Sequence, residues 1–161
     1  MQKILGYMRR AIQEYDLIQN GDRICIGISG GKDSLVLLQG LVLLRRFIGI
    51  DYEVVGITLD PRFNGVDGDY SSVAEMCRNL GVEYRLIPTN IGEVVFDIKK
   101  EAHPCSLCAK MRKGALNNKI KELGCNKFAY AHHKDDIIET LFMSLVFEGR
   151  IHTFSPVTYL D

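Results

Sequence analysis

Apolar residues recur along the chain with two alternating periods. Ile4, Met8, Ile12 and Tyr15 fall three or four apart, with Arg9, Arg10 and Glu14 between them. That spacing predicts an amphipathic helix. Asn20-Gly21-Asp22 reads as a turn, and Ile24-Cys25-Ile26-Gly27-Ile28 as a buried strand. A polar, glycine-rich stretch follows, and then a helical segment to about residue 47. Residues 53–59 predict a second strand. Ser72 and Glu75 have the spacing of a capping box for a helix carrying Val73, Met76, Cys77 and Leu80, ended by Gly81. Residues 82–87 predict a third strand. Pro104 starts a helix reaching residue 123, with Met111, Ala115 and Leu116 on one face and Gly124 as its stop. Residues 127–131 predict a fourth strand and residues 135–147 a last helix, stopped by Gly149.

Strand and helix alternate throughout. The predicted class is therefore α/β, an open parallel sheet of four or five strands with helices on both faces and right-handed crossovers. In such sheets ligands bind beyond the carboxyl ends of the strands.

Composition narrows the function classes. At 161 residues the chain has the size of one domain, and roughly 70% of its unfolded surface is buried on folding. Lys plus Arg equals Asp plus Glu, 20 each, which disfavours a dedicated basic nucleic-acid module while leaving room for a local basic patch. The most apolar run, residues 35–44, is broken by Gln39 and Gly40 and followed by Arg45 and Arg46. It falls short of the ~20 apolar residues of a membrane span. MQKILGYMRR carries arginines where a signal peptide has its apolar region. Five cysteines, an odd number without an export signal, point to a reducing cytoplasm.

Three polar blocks carry the candidate chemistry. Ser29-Gly30-Gly31-Lys32-Asp33-Ser34 joins the first strand to its helix. Two glycines let backbone N–H groups converge on an anion at the helix's positive end. Lys32 adds charge, and Ser29 and Ser34 add hydroxyls. Asp33 would repel phosphate unless it holds Mg²⁺ or caps the helix. The block is neither a Walker loop, since Lys32 is followed by Asp, nor a G-x-G-x-x-G fingerprint. A plain capped turn would use the same small, polar residues.

Pro104-Cys105-Ser106-Leu107-Cys108 opens the next block, with Lys110, Arg112 and Lys113 close behind. A helix's first turn favours thiolate, and two thiolates at this spacing suit a metal, a redox pair or nothing beyond incidental packing. Cys25, Cys77 and Cys125 read as inert buried thiols. Ala131-His132-His133-Lys134-Asp135-Asp136 follows the fourth strand. It suits phosphates and Mg²⁺, or capping by Asp135. His103 and His152 read as surface residues.

The order SGGKDS, PCSLCAKMRKGAL, AHHKDDIIETL resembles the PP-loop ATP pyrophosphatase superfamily, and within it the 2-thiocytidine synthetase group of tRNA sulfurtransferases. The resemblance covers essentially the whole chain. It implies an adenine nucleotide alpha hydrolase-like sheet, with a helix at residues 1–20 ahead of an ATP-binding domain at 21–161 cut short at its C-terminal end as a fifth strand begins.

It also implies ATP bound by Ser29, Gly30, Gly31, Lys32, Asp33 and Ser34, with His132, His133, Asp135 and Asp136 completing the site and Asp60 beside the nucleoside. Mg²⁺ would sit on Asp33, Asp136 or both. Cys105 and Cys108 would hold an iron–sulfur cluster, and Lys32, Asp33, Cys105 and Cys108 would carry catalysis. The group's third cluster cysteine comes from a later segment, and no cysteine follows Cys125.

The implied partners are tRNA, a sulfur donor such as a cysteine desulfurase and a second copy in a homodimer, with no membrane. Arg9, Arg10, Lys99, Lys100, Lys110, Arg112 and Lys113 are candidates for the tRNA surface. Two other readings compete. One is a PP-loop ligase joining a nitrogen nucleophile to an adenylated carbonyl, as in lysidine formation. The other is a non-catalytic nucleotide-binding module with a structural metal.

Overall fold

The structure, a computed structural model, describes residues 1–99 and 104–158. At its centre β1 (Asp22–Gly27) pairs in parallel with β2 (Tyr52–Asp60) on one side and β4 (Lys127–Ala129) on the other. β3 (Glu83–Pro88) pairs in parallel with β2, so the strand order is β3-β2-β1-β4. The predicted parallel sheet is present with four strands among the described residues. Residues 155–158 add no fifth strand, and residues 159–161 lie outside the described ones.

Strand pleating sorts the side chains into two cores. Ile24, Ile26 and Ile28 of β1 and its end, with Tyr52 and Val54 of β2, pack against Ile12 of α1 (Gln2–Glu14), Leu38, Leu41 and Leu44 of α2 (Lys32–Leu44), and Val73 and Cys77 of α3 (Ser71–Asn79). Cys25, Val55 and Ile57 point the other way, onto Leu116 and Ile120 of α4 (Pro104–Glu122). Right-handed crossovers require this. The chain steps β1-β2-β3 in one direction with α2 and α3 on one face, then returns past β1 to β4 with α4 on the other.

α1 and α2 approach closely because Gly40 has no Cβ. One placed there would run into the Met8 sulfur. The Tyr52 hydroxyl, buried against α2, donates to the Leu41 carbonyl at 2.6 Å.

Several boundaries differ from the predicted ones. α3 begins at Ser71 behind Tyr70, so Ser72 and Glu75 form no capping box; the Asp69 carboxylate accepts the Ser71 N–H at 2.9 Å instead. β4 stops at Ala129, two residues early, its last pairing partner on β1 being Ile26. The last helix is α5 (Lys134–Met143), widening into a π-turn over Ser144–Glu148 closed by left-handed Gly149. A second π-turn, Glu93–Ile98, precedes α4 and had no periodic signature.

The amino end of the sheet is locked by charge. The buried Asp22 carboxylate takes the Lys127 ammonium at 2.9 Å, the Asn126 amide at 2.7 Å and the Gln19 N–H at 2.7 Å. Arg23 pairs with Glu53 and with Glu83, across three strands. The carboxyl end carries the loops.

Candidate functional site

The glycine-rich turn leaves β1 at its carboxyl end and enters α2. Gly30 adopts φ +83°, a left-handed conformation that disfavours any side chain. Gly31 caps α2 in an extended conformation. Hydroxyls pin the turn. Ser34 Oγ, almost fully buried, donates to the Gly31 carbonyl at 2.8 Å, and Ser29 Oγ accepts the Gly31 N–H at 3.3 Å. Thr58 Oγ1 donates to the Ile28 carbonyl at 2.8 Å, fastening the start of the turn to β2. The first N–H groups of α2 have no helical partner and face the same end. A glycine turn running into a helix N-terminus is the general geometry of an anion cradle.

The strand order reverses between β1 and β4, and the crevice there is where an open parallel sheet binds its ligand. A cavity of about 430 Å³ occupies it. Its floor is Gly27, Ile28, Ser29, Gly31, Asp33 and Ser34, with Ile57 and Leu59 of β2. One wall is Tyr130, Ala131 and His132, the residues that leave β4 early. The opposite wall is Ala109, Arg112, Lys113 and Leu116 of α4.

The α4 wall has a consequence for the CxxC pair. Cys105, Cys108, Arg112, Leu116 and Ile120 follow one another at three- and four-residue steps, with Ala109 and Lys113 beside them, so they share one broad stripe of the helix. Ile120 is buried in the core, Leu116 borders both core and cavity, and Arg112 and Lys113 face the cavity. Continuing outward, Cys108 and Cys105 stand about 6 and about 10 Å along the axis from Arg112. Cys105 is exposed and Cys108 half-buried. The other three thiols are buried. Burial pushes Cys25 up to about 12 and raises Cys77 and Cys125 as well, so these stay protonated and inert.

Of the sequence candidates, Ser29, Gly31, Asp33, Ser34 and His132 line one cavity, which Gly30 shapes from the turn. Lys32 is the first residue of α2, exposed beside Asp33 and outside the lining. His133 is the N-cap of α5, and Asp136 reaches back to accept its N–H at 2.7 Å with His133 Nδ1 at 3.4 Å. The capping carboxylate is thus Asp136, not Asp135, which is exposed in the first turn.

Asp60 is buried, and its two carboxylate oxygens accept the N–H groups of Arg62 at 3.0 Å and Gly68 at 2.8 Å. It holds the loop after β2 and does not line the cavity. Among the described residues, no group of three or more His, Cys, Asp or Glu is placed to hold a metal ion. His152 is exposed, and His103 and Lys100 lie outside the described residues.

Arg112 and Lys113, expected as tRNA contacts beside the CxxC pair, line the cavity in the structure. Their distance from Cys105, seven and eight residues, carried that signal. Tyr130 was missed altogether, although it stands two residues before His132, the spacing of neighbours on one face of an extended chain.

Comparison with known proteins gives concordant matches. Residues 5–155 match the PP-loop domain family. The tRNA-cytidine(32) 2-sulfurtransferase of Anaeromyxobacter dehalogenans is 38% identical over 155 residues, covering 96% of this chain and 53% of that protein. The protein of the same name from Geobacter sulfurreducens is 36% identical over 160 residues, covering 99% of this chain and 62% of its own length. The chain therefore spans between half and two thirds of the length of these curated relatives. The U34-tRNA thiolase NcsA from Methanococcus maripaludis, solved with its [4Fe-4S] cluster, shares the fold with TM-score 0.70 at 23% identity, over 91% of this chain and 50% of that one. No helix among the described residues is long and apolar enough to cross a membrane.

Proposed function

We propose that this chain, which belongs to the PP-loop domain family, is the ATP-binding part of an enzyme that replaces the 2-oxygen of a tRNA cytidine with sulfur. One observation carries the reading: the glycine-rich turn at Ser29–Ser34 and the α4 residues Ala109, Arg112 and Lys113 line one cavity, and Cys108 and Cys105 continue that α4 stripe outward, outside the lining itself. A nucleotide site joined by one helix stripe to a thiol pair suits an activation followed by sulfur substitution. The names of the full-length relatives support the same substrate class.

The polyphosphate of ATP lies on the turn, held by the first N–H groups of α2 and by Ser29 and Ser34, with Lys32 reaching in from the head of the helix. Arg112 and Lys113 face it across the cavity and neutralise charge as it develops. Asp33, a carboxylate in the cavity lining, would hold Mg²⁺ against the polyphosphate. Ile57 and Leu59 offer the apolar floor that suits an adenine.

The cytosine 2-oxygen attacks the α-phosphorus. The α–β bridging bond breaks and pyrophosphate leaves. The base then carries AMP as a leaving group at C2. A sulfur nucleophile adds at that carbon, the C–O bond breaks and AMP departs. Splitting the exchange in two replaces a poor leaving group with a good one.

Cys105 and Cys108 fit two corners of an iron–sulfur site, being unburied thiols on one helix face. A cluster bound there would supply sulfur chemistry at the cavity's rim. A lysidine-type ligase needs no such thiol pair, and a non-catalytic module needs no basic wall facing the cradle.

Replacing Lys32 or Asp33 with alanine is expected to abolish ATP-dependent pyrophosphate release, and unchanged release overturns the nucleotide site. Replacing Cys105 and Cys108 with serine is expected to leave ATP affinity intact while 2-thiocytidine disappears from tRNA digests. Thiolation persisting without both thiols overturns the sulfur site.

A further inference from the structure

The aromatic wall of the cavity is not used by the steps above. Phe128, Tyr130 and His132 alternate along the chain as it leaves β4. Tyr130 meets Phe128 edge-on at 4.5 Å between centroids and 83°, and lies parallel to His132 at 5.5 Å and 9°. Phe154 closes the row against His132 at 4.8 Å. Parallel planes at 5.5 Å are stepped, not eclipsed, so each ring fixes its neighbour without covering it. Tyr130 remains 53% exposed while lining the cavity. A tyrosine held in place on two sides yet open to a cavity is a preformed π surface.

Its position selects the ligand. Phe128 packs into the core beneath Leu116 and Ile120, so Tyr130, two residues on, stands on the α4 side of the sheet. It lies opposite Arg112 and Lys113, beneath the stripe that leads to Cys108 and Cys105. The apolar floor for an adenine is on the far side of the turn, at β2. In-line displacement at the α-phosphorus requires the attacking oxygen to approach from the side opposite the departing pyrophosphate. The base that carries this oxygen must also reach the thiol face.

We infer that Tyr130 is the stacking platform for the pyrimidine to be modified, buttressed by His132 and Phe154. This rests on the thiolation reading for the identity of the base. A base splayed out of a single-stranded RNA loop and stacked on an aromatic side chain, its phosphates on adjacent cations, is the general mode by which proteins take hold of unpaired nucleotides.

The test uses a tRNA transcript with pyrrolocytidine at position 32, the position in the relatives' names, whose fluorescence falls when the base stacks on a ring. The parent protein is expected to quench it. Tyr130→Leu keeps apolar bulk without a π face. It is expected to lose the quench and to lower kcat/KM for tRNA about 5- to 150-fold, with ATP affinity within twofold of the parent. Retained ATP affinity shows that the variant is folded at the site, and Tyr130→Trp restores the quench. Undiminished quenching and thiolation in Tyr130→Leu overturn the platform. So does a loss of ATP affinity that Tyr130→Trp restores, which would place adenine on the ring. A parent that quenches but forms no 2-thiocytidine overturns the thiolation reading and leaves the platform standing.

Discussion

Asp60 separates two explanations of a carboxylate at the end of a strand. A site role predicts contact with the nucleoside. The structure instead spends both oxygens on main-chain donors, the N–H groups of Arg62 and Gly68 at 3.0 and 2.8 Å, on a side chain 4% exposed. Asp60→Asn preserves shape but keeps only one acceptor oxygen. The new amide group faces an N–H, so one donor of a part-buried pair loses its partner and two donors are brought together. Losing such a part-buried hydrogen bond costs about 0.5–1.5 kcal/mol. For a chain of this size that lowers Tm by roughly 1–6 °C.

The loop is poorly placed to absorb the loss. Arg62 and Asn64 sit at φ 51° and 54°, in the left-handed region. The Gly92 N–H holds the Pro61 carbonyl at 2.8 Å, leaving no room for a Cβ at Gly92. The assay pairs thermal unfolding with amide hydrogen exchange. Exchange at Arg62 and Gly68 should accelerate, and ATP affinity should change less than stability does. Unaltered exchange and Tm alongside a large loss of ATP affinity would refute the argument and return Asp60 to the nucleoside.

Two further outcomes follow from buried groups. Burial alone would raise the Asp22 carboxyl, but the Gln19 N–H, the Lys127 ammonium and the Asn126 amide together hold it below the ordinary aspartate range. Its contribution is therefore complete above about pH 4, the unfolded value, and fades as pH falls through the lower folded value. Urea midpoints of the parent and Asp22→Asn should be well separated at pH 7 and converge on acidification toward pH 3; a constant gap would refute the assignment. Thiol labelling of the native protein should modify Cys105 and Cys108 alone, with Cys25, Cys77 and Cys125 reacting only in denaturant. Early labelling of Cys25 would show that the β1–α4 core is open.

Element types were legible because apolar spacing in this chain is unambiguous. Ile24, Ile26 and Ile28 against Cys25 is a period of two, and Leu116 with Ile120 is one helical turn. What the pattern did not carry was competition between partners. Ser72 and Glu75 had the right spacing for a cap, but Asp69 lies nearer the Ser71 N–H. Asp135 and Asp136 are interchangeable in sequence; only Asp136, three residues from the N-cap, reaches back to it. The π-turn at Glu93–Ile98 has no period of its own to detect.

The cavity was half legible, and topology explains which half. Each motif that follows a strand could be assigned to the carboxyl edge by counting elements, so the glycine-rich turn and His132 were expected together. Arg112 and Lys113 belong to a crossover helix, and whether such a helix meets the ligand depends on where it lies over the sheet. α4 returns from β3 across two strands to reach β4, and so lies over the position where the strand order reverses. Its amino end must stand at the carboxyl edge, because it descends to feed β4 from below. The first two turns of α4 therefore stand at the same sheet edge as the glycine-rich turn, and Ala109, Arg112 and Lys113 just behind them line the cavity. The same residues on α2 or α3 would face the opposite core. It is the strand order, more than the residue types, that brings the α4 wall to the glycine-rich turn.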